Sequence, residues 1–168
     1  MATTVISVED YLRTTSEPDC EYVRGVLKQR SSAEWDHSSW QAALIQWFSQ
    51  HNKDWEIRVL PSIRIQAAAD QFRVPDVTLV SRQAPREQFL THAPLAVLEI
   101  LSPGDSIPEL FDKLEAYEAM GIPAIWVIDP ENATYRRFLQ GKLVEDTLFE
   151  LPGTRFSVPI TEIAAQVE

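Results

Sequence analysis

The amino-acid sequence predicts an α/β fold in which a mixed central β-sheet is flanked by helices. Three observations predict it. Residues 95–101, LAVLEIL, form a nearly continuous apolar run closed by Pro94 and by Ser102-Pro103-Gly104, the pattern of a strand buried on both faces. Residues 124–129, AIWVID, form a second such run. Between them Leu110, Leu114 and Tyr117 fall at helical spacing, so the two strands are expected to lie parallel and be joined by a helical crossover.

The other elements follow in chain order. Ser7 is placed to cap a short helix with Glu9 and Asp10 in its first turn, ending near Thr15 before Pro18. Residues 20–30, CEYVRGVLKQR, read as a bent hairpin around Gly25. Residues 34–51 are the clearest early helix, with Trp40, Leu44, Trp47, Phe48 and His51 on one face. That aromatic stripe reads as core rather than as a platform for stacked bases. Ile57, Val59, Ile63 and Ile65 alternate with Arg58, Ser62, Arg64 and Gln66, which predicts one strand kinked or bulged at Leu60-Pro61. Residues 74–80, VPDVTLV, read as a short strand, followed by a polar connection over 81–93. Asp105 or Ser106 caps the crossover helix, with Pro108 and Glu109 in its first turn, and Gly121 and Pro123 stop it. Tyr135, Phe138, Leu143 and Phe149 are expected on the strands of a hairpin turning near Gln140-Gly141. Pro159 and Thr161 open a short last helix.

With 168 residues, 45% hydrophobic and 24% charged, no internal repeat and no long linker, the chain is expected to form one domain over 1–168. No apolar run approaches the roughly 20 residues that span a bilayer, and MATTVISVEDYL lacks the features of a secretory signal. A cytoplasmic protein with no membrane partner is therefore expected. One cysteine, Cys20, excludes an intrachain disulfide and a thiolate zinc cage, and reads as a small apolar residue. The net charge of −10 opposes non-specific nucleic-acid affinity, which depends on Lys and Arg displacing counterions. Nucleic-acid chemistry would have to rest on a local site, or on a groove presented by a homodimer. There is no Gly-x-Ser-x-Gly elbow, and the five glycines form no phosphate loop after a strand, which excludes serine hydrolases and dinucleotide-binding folds.

Chemistry enters with Glu99. It lies inside LAVLEIL, where an ionised carboxylate needs a cation, a hydrogen-bond network or a raised pKa. Asp76 poses the same problem inside VPDVTLV. If the two strands are neighbours, their carboxylates converge on an oxygen-rich site of the kind hard cations such as Mg²⁺ prefer. Lys113, on the following helix, is offset from the Leu110/Leu114/Tyr117 stripe and can lean over the strand ends to orient an attacking water. Its other reading is an exposed i,i+4 pair with Glu109, worth only about 0.3–0.5 kcal/mol.

In order and combination, Val74-Pro75-Asp76, then LEILSP at 98–103, then Lys113…Tyr117…Gly121, then WVIDP at 126–130 resemble the bacterial Uma-type restriction-endonuclease family. That family is a branch of the PD-(D/E)xK superfamily. The resemblance takes in Glu21, Gly25 and His37 and spans roughly residues 7–150. It implies a restriction endonuclease-like fold in which Asp76, Glu99 and the carbonyl of Ile100 bind Mg²⁺, with Mn²⁺ as a possible substitute. Leu101 stands where the parent motif carries its lysine, and Lys113 matches the place to which this branch has moved it. Glu21 matches an early acidic position that reaches the metal through water; it also reads as an exposed strand carboxylate. His37 matches a histidine that contacts phosphate or supports the site through hydrogen bonds; it also reads as a satisfied structural histidine.

The function expected is a metal-dependent endonuclease hydrolysing phosphodiester bonds of DNA, with Asp76, Glu99, Lys113 and Glu21 as catalytic residues. Two other classes stay open: a nuclease-fold module that binds nucleic acid or protein without cutting, and a scaffolding dimer. Arg24, Lys28, Arg30, Arg58, Arg64 and Arg73 read either as a phosphate-facing strip or as solvated strand faces. His51 and His92 have no distinguishing context, and Asp129 reads as a turn residue at a strand end.

Overall fold

The structure, a computed structural model, describes residues 5–15, 19–151 and 153–167. Ser7 caps α1 (Val8–Arg13) by accepting the Asp10 N–H at 3.0 Å, as its position predicts, and the helix closes at Thr14. Pro18, the expected stop signal, lies outside the described residues. β1 (Cys20–Val23) and β2 (Val26–Gln29) form the expected hairpin. Arg24 and Gly25 turn it with φ of 50° and 86°, the pair of left-handed residues a two-residue hairpin turn demands. A Cβ on Gly25 would also clash with Val5 Cγ1. α2 (Trp35–Gln50) buries Trp40, Ala43, Leu44, Trp47 and Phe48, so the aromatic stripe is core.

The stretch 57–66 departs from expectation. It is not one kinked strand: β3 (Ile57–Pro61) and β4 (Ile65–Ala68) belong to different sheets. Pro61 has no N–H to extend the ladder, and Ser62 turns the chain at φ 48°. Ile63 and Ile65 still pack into the core, so a period of two survives across the break and hides the change of sheet. β5 (Gln71–Arg73), unmarked in the sequence, pairs with both β4 and β1. β6 begins three residues later than the pattern suggests, at Val77 (Val77–Ser81), so Val74, Pro75 and Asp76 carry the chain from one sheet to the other.

The larger sheet has six strands in the order β10-β9-β8-β7-β6-β3, built on β7 (Ala96–Ile100) and β8 (Ala124–Asp129). These two pair in parallel and are joined through α3 (Ile107–Met120), as predicted; the other pairs in this sheet are antiparallel. Gly121 ends α3 in the left-handed conformation at φ 88°. β9 (Thr134–Leu139) and β10 (Lys142–Glu145) turn at Gln140-Gly141. Phe149 is not on that hairpin. It lies on β11 (Leu148–Glu150), which forms a separate two-stranded sheet with β12 (Ser157–Pro159), ahead of α4 (Ile160–Ala164).

The six-stranded sheet divides the core. Leu98, Ile100, Trp126 and Ile128 pack toward α2, and Val97, Ile125 and Val127 toward α3. The second sheet, in the order β2-β1-β5-β4, stands against one end of the first. Among the described residues no helix is long and apolar enough to cross a membrane.

Candidate active site

The two sheets meet at a cleft enclosing about 270 Å³, into which Glu21, His37, Asp76, Glu99, Ile100 and Lys113 all open. The register explains the meeting of the acids. β6 and β7 pair Val77 with Leu98, which places Asp76, the residue before β6, across from Glu99. Val77 and Leu98 face the α2 core, so the acids one residue further on share the opposite parity. All six residues singled out from the sequence are thus brought to one place.

Lys113 is the centre of the arrangement. Its Nζ lies 2.8 Å from Glu99 Oε2 and 2.9 Å from Glu21 Oε1, with only 14% of the side chain exposed. The alternative pairing with Glu109 does not form; Glu109 instead meets Lys28 at the surface, at 2.7 Å. Glu99 is completed by the Tyr117 hydroxyl, which donates to Oε1 at 2.7 Å. Glu21 is no exposed strand carboxylate: it is buried and also accepts from the Val74 N–H and the Arg73 guanidinium. Asp76 Oδ2 accepts the Ile100 N–H at 2.8 Å, while Oδ1 faces Arg30 Nη2 at 2.6 Å and His37 Nε2 at 3.1 Å. One turn after His37, Gln41 donates to the Asp76 carbonyl at 2.9 Å, so α2 grips this residue by side chain and main chain.

The charges are uneven. Burial pushes the Asp76 carboxyl up, but the His37 hydrogen bond and the charges of Lys113, His37 and Arg30 outweigh it and hold its pKa below the ordinary value. Glu21 follows the same logic: burial opposes ionisation, and Lys113, the Val74 N–H and Arg73 overcome it. For His37 burial favours the neutral ring, yet Asp76 raises the net pKa. Glu99 is the exception. Burial dominates, Lys113 only partly offsets it, and the neighbouring Asp76 and Glu21 charges add to it, so its pKa is pushed up to about 7. Lys113 is held protonated, its burial outweighed by Glu99, Glu21 and Asp76.

This is a site short of positive charge at Glu99. Among the described residues no three His, Cys, Asp and Glu side chains are grouped to hold a metal by themselves. A donor set of two carboxylates and a main-chain carbonyl fits a hard cation that keeps several waters, as Mg²⁺ does, and suits zinc poorly.

Sequence reasoning passed over three contributors. Tyr117 reads as core, although its i+4 spacing from Lys113 puts both on one side of α3. Gln41 stands in the same relation to His37. Arg73 reads either as part of a phosphate-facing strip or as a solvated strand face, and its ion pair with the buried Glu21 fits neither. The basic strip does not form as a unit. Lys28, Arg30 and Arg73 line the cleft, whereas Arg58 donates to the carbonyls of Ala84 and Arg82, and Arg64 holds Asp19 and covers Tyr11. Arg24 is exposed at the hairpin turn and does not line the cleft. His51 stacks on both Trp47 and Trp55, His92 bonds Glu87, and neither lines the cleft. Asp129 accepts from Asn132 in a turn, as expected.

Comparison with known proteins agrees with this architecture. The profile of the Uma2 family, described as "Putative restriction endonuclease", matches residues 8–166, and the chain belongs to that family. The fold is similar to that of a crystal structure from Anabaena variabilis ATCC 29413, described as a "putative nuclease belonging to DUF820". The two share a TM-score of 0.83 at 22% identity, over 97% of this chain and 99% of that one. A weaker likeness, TM-score 0.44 at 19% identity, links 67% of the chain to 10% of a protein in a DrdV–DNA complex. No curated protein matches. The fold is therefore restriction endonuclease-like.

Proposed function

We propose that the protein is a divalent-metal-dependent endonuclease that hydrolyses phosphodiester bonds of DNA. The observation that carries this reading is the convergence of Asp76 and Glu99, from opposite sides of a strand pair, beside a buried lysine 2.8 Å from Glu99. Asp76, Glu99 and the Ile100 carbonyl would hold Mg²⁺, or Mn²⁺ in its place. When bound, such an ion acidifies water and offsets charge on a phosphate. Lys113 keeps its proton between Glu21 and Glu99, so its role is that of a fixed hydrogen-bond donor toward the attacking water and the phosphate oxygens rather than a base. Glu21 positions that lysine and helps hold it protonated. Tyr117 and the Ile100 N–H fix the rotamers of the two acids. His37 is placed to support Asp76.

The test is cleavage of plasmid DNA with Mg²⁺ or Mn²⁺ by wild type, Asp76→Asn and Glu99→Gln, with folding followed by circular dichroism. Each substitution is expected to reduce cleavage by about a hundredfold or more while the fold persists. Cleavage that survives both changes rejects the assignment. One observation favours a second reading, a binding module that does not cut: Arg30 and Lys113 already sit on both proposed ligands. Calorimetric titration with Mg²⁺ separates the two, since a non-cutting module of this kind takes up no metal at Asp76.

A further inference from the structure

The cations around the cleft are not equivalent. Lys113 is locked between two carboxylates, and Arg73 is 5% exposed against Glu21. Arg30 has one carboxylate where Lys113 has two, and its side chain is more exposed than that of either. It is the first residue beyond β2, in a segment without regular structure, and 18% of its side chain is exposed. One carboxylate holds it, through Nη2 at 2.6 Å from Asp76 Oδ1, with a long contact from Nη1 to Ser62 Oγ at 3.5 Å.

The two oxygens of Asp76 are engaged differently. Oδ2 is committed to the Ile100 N–H, which lies on a buried strand and cannot withdraw. Oδ1 carries Arg30 at 2.6 Å and His37 Nε2 at 3.1 Å, so a cation that takes Oδ1 displaces the guanidinium, the nearer and fully charged of the two. Once displaced, the guanidinium remains tethered at the cleft wall, beside the place where a phosphate must lie to reach Asp76. Its planar fork is suited to phosphate oxygens as well as to a carboxylate. In a chain of charge −10, a cation freed at the cleft supplies positive charge locally, where a phosphate would lie.

We propose that Arg30 is an exchange cation: it neutralises Asp76 before a divalent ion is bound, and on displacement by that ion it turns outward to hold a phosphate of the nucleic acid. The inference rests on the metal-binding reading given above. It makes Arg30 a competitor of the metal and a ligand of the substrate, so one substitution acts in opposite directions on the two equilibria.

The experiment measures Mn²⁺ binding by calorimetry without nucleic acid, and binding of a short DNA duplex in Ca²⁺ by fluorescence anisotropy. It compares wild type, Arg30→Gln, Arg30→Lys and Asp76→Asn. Arg30→Gln is expected to bind Mn²⁺ about tenfold more tightly and duplex about tenfold more weakly, with the salt dependence of duplex binding reduced by about one ion. Arg30→Lys keeps the charge and loses the fork. It is expected to stay within about twofold of wild type for Mn²⁺ and to lose about threefold for duplex, and it carries the test should the glutamine variant not fold. Mn²⁺ uptake that Asp76→Asn abolishes but Arg30→Gln leaves unchanged or weakened overturns the exchange alone. Unchanged duplex affinity in both Arg30 variants does the same. No Mn²⁺ uptake by any of the four proteins overturns the metal reading and the exchange together.

Discussion

The two faces of β7 are buried alike and held by different forces. Toward α2, Leu98 and Ile100 join Trp126, whose ring stacks on Phe149 at 4.6 Å and 7° between planes. Water exclusion and dispersion suffice there, and any well-shaped apolar side chain serves. Toward α3, Glu99 is 6% exposed and held by two directed bonds, from Lys113 and Tyr117. The apolar face makes the sheet stable. The polar end of the other face holds like charges together at a cost, which is the behaviour expected of a functional site.

The largest test of this contrast is Lys113→Met, which leaves Glu21 and Glu99 buried without their shared cation. A loss on the order of 3–5 kcal/mol is expected in urea denaturation at about pH 8, and adding Glu99→Gln should restore a large part of it. Trp126→Ala should lose a similar ~3–5 kcal/mol on the other face, and adding Glu99→Gln to it should raise stability only by as much as that substitution does alone. A recovery in the Trp126→Ala background larger than the effect of Glu99→Gln alone would mean that the faces are not independent.

Glu99→Gln alone sharpens the comparison through pH. The folded-state pKa of Glu99, about 7, lies above its ordinary value of 4.5, so the folded chain holds a proton that the unfolded chain has lost. The stability this supplies is complete below about pH 4.5 and gone above about pH 7. In the metal-free protein the Gln variant should therefore melt higher than wild type at about pH 8, by an amount on the order of a few kcal/mol, with the gap closing at about pH 4.5. A gap that widens toward acid would contradict the electrostatic account. Glu21 and Asp76, held low, act with the opposite sign and weaken both proteins together as pH falls.

Smaller effects follow. Tyr117→Phe removes the donor to Glu99 Oε1 and should cost about 1–2 kcal/mol while moving the Glu99 titration further up, as carboxyl NMR would record. Glu109→Ala breaks only the exposed pair with Lys28 and should change stability by less than about 0.5 kcal/mol. A larger loss would mean that the cleft mouth carries weight assigned here to its floor.

Much of the site was legible because burial leaves a mark on sequence. A carboxylate inside LAVLEIL announces a problem that some partner must solve, and the same holds for Asp76. The identity of the partner is not written locally. Lys113 has Glu109 four residues before it, a pairing worth a few tenths of a kcal/mol, yet its head lies between acids 92 and 14 positions earlier. Arg73 and Arg64 look alike as strand arginines, and only folding sends one under Glu21 and the other onto Tyr11.

The sequence by itself determined the elements whose signals are local: the cap at Ser7, the turns at Gly25 and Gly141, the stop at Gly121, and the period of α2, α3 and the two parallel strands. Tertiary structure alone decided which sheet each strand joined, where Phe149 went, and which cation met which acid. The physical reason is range. Dihedral preference and periodicity act over a few residues, whereas strand pairing and the desolvation of a charge depend on what the rest of the chain brings alongside.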